Sequence, residues 1–320
     1  MKAIVYEEYG PPDVLEIKEV EKPAPNDNEM LIKVHAAAVT PLDWHFMTGT
    51  PFLARIMAGG LFKPKHQVLG TQVSGQVEAV GENVNRFRPG EAVFGRSKNG
   101  GGFAEYVCIS EDDAWPVPDG MSFEEAAAVL FSAITALIFL ADLGQLQPGQ
   151  KVLINGASGG VGTLAVPIAK TLGAHVTGVC STRNVELVRS IGADEVIDYT
   201  AGDFTQNGEL YDLVFDAIGK CSFIDCRRIL NPEGIYVTTA FSPSQALKGQ
   251  WVSMTGSQKM IPMPPVEPKP QIAELFKELL ETGKLKPVLD SCYPLNETRE
   301  AFRFYGKGHT QGRVVINMLD

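Results

Sequence analysis

The sequence is short of the features that build small secreted or membrane-embedded proteins. Its five cysteines, Cys108, Cys180, Cys221, Cys226 and Cys292, are scattered through 320 residues and form no C-x-x-C pair. They read as small buried residues of a reducing compartment, and a chain of this length needs no disulfide framework. Basic charge is in deficit: 28 Lys and Arg face 38 Asp and Glu, for a formal net charge of −10. That average field repels a phosphate backbone and argues against a nucleic-acid partner, while leaving room for a local basic pocket. Long apolar runs are missing as well. The most apolar stretch, Ala126–Ala141, is shorter than the roughly 18–20 residues that span a bilayer and carries Ser132 and Thr135, so it reads as a buried helix and not as an integral membrane segment. Met1–Glu8 lacks a signal peptide's apolar stretch, and the expectation is a soluble, cytoplasmic protein. The five histidines, His35, His45, His66, His175 and His309, contain no pair at metal-ligand spacing.

What is present suits two domains. The first third holds short β-type runs, Met1–Tyr6, Glu29–Ala36, Val73–Val80 and Ala92–Gly95, punctuated by Gly and Pro. A long apolar connection, Gly49–Gln67, carries Phe52, Ile56, Met57, Leu61 and Phe62 and has the character of a binding lid. From about Met121 strands and helices alternate: strands at Lys151–Ile154, His175–Cys180, Glu195–Asp198, Leu213–Asp216 and Gly234–Thr239, helices at Val161–Leu172, Val185–Ile191 and Phe223–Leu230. That alternation implies an α/β fold with a doubly wound parallel sheet. A proline-rich connection over 261–270 precedes an amphipathic helix at Gln271–Thr282, and Arg313–Met318 closes the chain as a strand.

The string Asn155-Gly156-Ala157-Ser158-Gly159-Gly160-Val161-Gly162 follows a strand and opens a helix. Glycines there permit a tight turn and let backbone approach a pyrophosphate, while the helix N-terminus offers unpaired N–H groups and partial positive charge. Ala157, Gly159 and Gly162 occupy the three places of the G-x-G-x-x-G pattern. The second strand ends at Cys180 and is followed by Ser181-Thr182-Arg183, with no carboxylate to bond a ribose 2′-hydroxyl. Arg183 can pair with a 2′-phosphate, which favours NADPH; the alternative is a solvated surface arginine.

The chain resembles the zinc-independent quinone oxidoreductases, the ζ-crystallin-like branch of the medium-chain dehydrogenase/reductase superfamily. The resemblance runs through Met1-Lys2-Ala3, Leu69-Gly70, Gly75, Pro89-Gly90, Gly102–Tyr106, Ala136, the turn Ala157–Gly162, Leu172-Gly173-Ala174, Gly192-Ala193-Asp194, Val196–Tyr199 and Gly312–Ile316. Pro167 departs from it, standing where the family has Gln and where a helix loses one backbone bond. The resemblance implies a GroES-like β-rich domain over 1–122 and 266–320 and a Rossmann domain over 123–265, with the active site in the cleft between them. It implies a homodimer paired through an edge strand of the Rossmann sheet, from Gly234–Thr239 onward. It carries cofactor contacts onto Thr135, Ser158, Gly159, Gly160, Val161, Gly162, Ser181, Arg183, Tyr199, Ala217, Ile218, Phe241 and Arg313. The family's phosphate-binding lysine falls on Asn184, and Arg183 beside it is the candidate substitute.

Zinc dehydrogenases of the superfamily use a Cys, a His–Glu pair and a further Cys or Asp. Here those places hold Thr40, Thr71-Gln72 and the stretch Phe131-Ser132-Ala133, none a good zinc ligand, so no zinc is expected. Without a Lewis acid, hydride transfer suits quinones and α,β-unsaturated carbonyls, whose developing oxyanion is delocalised. Three residues are catalytic candidates. His45 is either a proton donor or a positioning, ribose-contacting residue. Asp43 bonds ribose or backbone, or stabilises its loop, and Thr40 can donate to a substrate oxygen. Trp44, Phe46, Phe131, Phe241 and Met260 are candidates for an apolar pocket or for core packing. The leading expectation is an NADPH-dependent quinone or enone reductase acting on a small molecule. Enoyl-thioester or aldehyde reduction, with Lys63 and Lys65 near the lid, and a non-catalytic NADPH-binding protein are the alternatives.

Overall fold

The apolar run Val152-Leu153-Ile154 forms the centre of a six-stranded sheet. The computed structural model describes residues 1–239, 257–261 and 268–318. Lys151–Asn155 pairs in parallel with His175–Cys180 on one side and Tyr211–Asp216 on the other. Glu195–Asp198 continues the sheet beyond the first, and Leu230–Thr238 then Lys259–Ile261 beyond the second, again all parallel. Numbered along the chain the order is 3-2-1-4-5-6, the doubly wound arrangement. The continuous apolar character of these strands follows from burial on both faces: Val152, Leu153, Ile154, Leu213, Val214 and Phe215 are all inaccessible to solvent.

This sheet belongs to a compact unit of residues Ser132–Val288; Met1–Phe131 and Leu289–Asp320 form the other. The sequence reading returns the chain to the first unit at 266, but the contacts place that return at 288. The reason lies in the helix Pro270–Glu281, whose buried stripe of Ile272, Phe276, Leu279 and Leu280 packs on the helical turn Ile138–Leu143 of its own unit. Leu230–Thr238 is paired on both sides, so it is no edge; among the described residues the sheet's edges are Glu195–Asp198 and, next to Leu230–Thr238, Lys259–Ile261. Phe241 and most of the proline-rich connection lie outside the described residues.

In the other unit a sheet runs in the order Leu289–Pro294, Arg313–Asn317, Glu29–Ala38, Gln72–Val80, Ala92–Arg96, Ala114–Pro116. Tyr106–Ser110 pairs with the first half of Glu29–Ala38, and Lys2–Val5 forms a separate hairpin with Glu16–Glu19. The core between these strands includes Met30, Ile32, Val34, Val93 and an edge-to-face pair, Phe103 and Phe302, 5.7 Å apart.

Helix Phe123–Leu137 passes into a wider turn, Ile138–Leu143, where Gly144 N–H donates to Phe139 O at 3.0 Å. By length and composition this helical run can cross a bilayer, but 72% of its most apolar window is buried inside the protein, as a core helix is. The helix Gly162–Thr171 runs unbroken through Pro167. Two cysteines depart from the reading of five reduced thiols: Cys221 and Cys226 are joined by a disulfide, while Cys108, Cys180 and Cys292 are free. The start of helix Phe223–Cys226 doubles back over the preceding loop, which brings two residues five apart in sequence to a Cα separation of 6.8 Å.

Candidate cofactor and substrate sites

The register of the parallel sheet sets Asn155, Asp216 and Thr238 level with one another, and the ends of the second and third strands beside them. The connecting loops therefore leave from one edge. The sheet order reverses at the first strand, so the glycine turn that follows Asn155 stands at the switch point where doubly wound folds bind ligands.

Gly156 takes φ +82°, and its carbonyl accepts from Gly159 N–H at 3.0 Å, closing the turn. A Cβ on Gly162 would lie 2.1 Å from that same carbonyl oxygen, so only glycine lets the helix start this close to the strand. Gly159 differs: a Cβ there would meet only Gly156 O, at 3.4 Å. Its hydrogen leaves room above the turn for a ligand. Helix Gly162–Thr171 then begins with no side-chain cap; Thr163 N–H donates to Gly159 O at 2.9 Å, and the positive end of the helix faces the turn. Ser158 Oγ is taken by the buried Asn184, whose amide donates to it at 2.8 Å. Asn184 thus ties two loops together where the family carries a lysine.

Ser181, Arg183 and Tyr199 come together because Asp198 is level with Cys180 across the sheet, and Tyr199 N–H donates to Cys180 O at 3.0 Å. Asp198 is a neighbour that sequence reasoning missed. Its carboxylate accepts from the Thr182 hydroxyl at 2.6 Å and the Thr200 hydroxyl at 2.7 Å, and these bonds hold it below the usual carboxylate range. On the other side of the turn Ala217 N–H donates to Asn155 O, and Ile218 is so placed that a Cβ on Gly156 would touch its Cγ2. Tyr199 and Ile218 are each about half exposed, unusual for such side chains. Thr135 is buried on its helix.

The loop carrying Ala217 and Ile218 is built around Asp216, the second residue missed. It is fully buried and accepts from Asn155 Nδ2 (2.9 Å), the backbone N–H groups of Ile218 (3.3 Å), Gly219 (3.0 Å) and Cys221 (2.9 Å), and the Tyr236 hydroxyl (3.1 Å). A buried carboxylate is tolerable only with such a set of donors.

In the first unit Thr40 and Asp43 form a capping box on helix Pro41–Thr48. Asp43 accepts from Thr40 N–H at 2.9 Å, the Thr40 hydroxyl at 2.6 Å and Gly70 N–H at 3.0 Å. Burial pushes its pKa up to about 6, against the hydrogen bonds from Thr40, Gly70 and Thr71. The Thr40 hydroxyl, expected as a donor to substrate, is fully buried and spends its proton on Asp43. Asp43 lines a small recess together with Tyr6, Phe46, His66, Thr71 and Lys98. Burial raises the Tyr6 hydroxyl far above the usual phenol range, so it remains a neutral donor. His45 is not among the lining residues; its Nδ1 is 2.6 Å from Thr50 O and carries the proton there.

Arg313, carried over as a phosphate contact, is only 4% exposed, with its guanidinium 5.1 Å from the centre of the Phe131 ring. As the first residue of a central strand it is drawn into the interior of its unit. Trp44 packs on Tyr305 and Met260 sits in the core of the other unit, so of the described aromatic and Met candidates Phe46 alone lines the recess. The donor set does not fit zinc: Thr40 Oγ1 and Thr71 Oγ1 stand 3.4 Å apart where ligands would be needed, and no group of three His, Cys, Asp or Glu occurs among the described residues.

A doubly wound sheet with a glycine turn at its switch point, in a chain whose other unit is β-rich, defines a nicotinamide-dinucleotide oxidoreductase of the two-domain kind. Residues 26–119 match the alcohol dehydrogenase GroES-like domain, and residues 191–316 match the zinc-binding dehydrogenase family. The chain is 33% identical to the chloroplastic quinone-oxidoreductase QR1 of Triphysaria versicolor, over 99% of its own length and 98% of the relative's. It is 31% identical to the mitochondrial NAD(P)H oxidoreductase RTN4IP1 of Mus musculus, over 100% of this chain and 89% of that one. The structure of the quinone oxidoreductase from Coxiella burnetii superimposes with a TM-score of 0.88 at 30% identity, each chain covered to 99%. The chain belongs to the quinone oxidoreductase branch of the medium-chain dehydrogenase/reductase superfamily and is an NAD(P)H-dependent oxidoreductase. The two curated relatives named here are organellar, which does not match the expected cytoplasmic location.

Proposed function

We propose that the protein reduces quinones or α,β-unsaturated carbonyls with NADPH and without zinc. The observation that carries this reading is that Thr40 and Thr71-Gln72 stand at metal-ligand places, with Thr40 Oγ1 bonded to Asp43 and 3.4 Å from Thr71 Oγ1 beside the recess. The reduced nicotinamide, when bound, supplies the hydride. The protein's own share is then orientation, exclusion of water and hydrogen bonding to a delocalised oxyanion, for which the neutral Tyr6 hydroxyl is the candidate donor. Thr40 and Asp43 act as positioning residues through the helix they cap. His45, outside the recess, is assigned the positioning role, its Nδ1 donating to Thr50 O. The glycine turn holds the pyrophosphate, with Ser158 and Asn184 fixing its flank. Tyr199 and Ile218 offer the half-exposed apolar surfaces that an adenosine can cover, beside Ser181 and Ala217. Arg183 supports the 2′-phosphate of NADPH, opposed by the charged Asp198. The reading includes a homodimer paired through the open edge at Lys259–Ile261.

The test is turnover of NADPH and NADH with 9,10-phenanthrenequinone, 1,2-naphthoquinone, a simple enone, an enoyl thioester and an aldehyde. Reduction of the quinones or the enone with NADPH is expected. Tight NADPH binding with no oxidation by any of them would leave a binding protein instead, and one tightly held zinc per chain by metal analysis would overturn the zinc-free reading. The enoyl thioester is included because the CurK enoyl reductase structure, 25% identical, superimposes with a TM-score of 0.85.

A further inference from the structure

Of the eleven large hydrophobic side chains exposed among the described residues, six come from one short segment: Phe52, Leu53, Ile56, Met57, Leu61 and Phe62. Phe62 is 89% exposed. Contiguous apolar surface of this kind on a folded protein marks a place that something else covers.

The segment has a second property. No Asp or Glu occurs between Asp43 and Glu78, while Arg55, Lys63 and Lys65 fall inside that stretch of a chain whose net charge is −10. Glu7, the carboxylate that feels the charge of Lys63, is already paired with Lys18 at 2.6 Å. Lys63 and Lys65 are exposed and directly follow Phe62. The backbone of the segment is held from the protein side: Arg55 Nε donates to Gly49 O at 3.1 Å and its guanidinium lies over the Tyr9 ring, while the Tyr9 hydroxyl donates to Gly60 O. These bonds leave the apolar side chains outside.

We propose that the segment Phe52–Lys65 docks the protein on an anionic lipid surface. Phe52, Leu53, Ile56 and Phe62 enter the boundary between headgroups and acyl chains, and Lys63 and Lys65 meet headgroup phosphates. Exposed cations of a single sign beside aliphatic and Phe side chains complement a surface of uniform negative charge. A protein partner would in addition require matched polar groups around an apolar centre, and the segment supplies no acidic ones. The proposal stands on this surface alone and is independent of the reaction the enzyme performs.

The experiment is co-sedimentation of the full chain with phosphatidylcholine vesicles, with and without phosphatidylserine, at low and high salt. Binding to the anionic vesicles that weakens with salt is expected. Lys63→Ala and Lys65→Ala should each lower the partition coefficient about fivefold. Phe62→Ser should lower it at least about tenfold, with an unchanged melting temperature because the side chain is exposed. Wild-type protein left in the supernatant with both vesicle types, equal binding to both, or a Phe62→Ser variant that binds like wild type overturns the proposal. So does a sedimentation-velocity result in which Phe62→Ser converts a dimer to a monomer and no vesicle binding is seen, since the patch then serves self-association.

Discussion

Two glycines only three residues apart in the same turn should respond differently to the same substitution. In Gly162→Ala the new Cβ starts 2.1 Å from Gly156 O and 2.7 Å from the Ala157 backbone. Carbon and oxygen need roughly another ångström, and the obstacle is main chain that no rotamer change can clear. Moving the Gly156 carbonyl also breaks the bond it accepts from Gly159. Overpacking of about 1–3 kcal/mol plus one lost hydrogen bond of about 1 kcal/mol gives a destabilisation of about 2–4 kcal/mol. The displaced turn should in addition weaken NADPH binding by at least about tenfold, the factor that about 1.4 kcal/mol represents. In Gly159→Ala the Cβ meets Gly156 O only at 3.4 Å, so the fold should be indifferent, while the methyl occupies the space left for the pyrophosphate. Calorimetric melting and NADPH titration by fluorescence separate the two effects. Gly162→Ala should lose both stability and affinity, and Gly159→Ala affinity alone. Wild-type melting and affinity in Gly162→Ala would refute the steric argument; wild-type affinity in Gly159→Ala would refute the placement of the phosphates.

Further expectations concern charge and sulfur. Arg183→Ala should raise the dissociation constant of NADPH much more than that of NADH, and Asp198→Asn should lower the NADPH constant; equal effects on both cofactors would remove the phosphate role from this loop. Asp43 binds its proton more tightly folded than unfolded, its pKa rising from 3.8 to about 6. Its contribution is therefore neutral below pH 4, falls as pH climbs through that window, and settles about 3 kcal/mol lower above it. Urea unfolding of wild type and Asp43→Asn across that window should show the gap changing with pH, and a constant gap would contradict the burial argument. In denaturant without reductant, thiol titration should find three reactive cysteines, and five after reduction. Opening the Cys221–Cys226 loop should cost about 2 kcal/mol by loop-closure entropy, and a melting temperature unmoved by reduction would count against that contribution.

Much of this was readable in the residues. The parallel strands announce themselves because burial on both faces demands unbroken apolar runs, and the turn between Asn155 and Gly162 because its geometry admits almost only glycine. The cap on helix Pro41–Thr48 was also within reach: Thr40-Pro41-x-Asp43 after a strand is a helix-start pattern, and reading it would have assigned the Thr40 hydroxyl to Asp43 rather than to a substrate. Asp216 was not legible. Its donors come from five residues spread from Asn155 to Tyr236, and an acidic residue closing an apolar strand has no local mark of such a role. Asp198 escaped for the same reason, being brought to Thr182 only by strand pairing. The disulfide was hidden because five residues of separation fit no recognised pattern. An amphipathic stripe such as that of Pro270–Glu281 shows that a helix needs a partner without showing which one.

The strand Arg313–Asn317 lies between Leu289–Pro294 and Glu29–Ala38. One edge of Glu29–Ala38 therefore has no partner over Ala36–Ala38 until Arg313–Asn317 has been synthesised. The unit Ser132–Val288 is continuous in sequence and can finish folding while the earlier one still waits. During synthesis the protein must carry an unfilled slot flanked by Ala36, Ala37 and Ala38, and the strand that fills it is made only after the whole of Ser132–Val288.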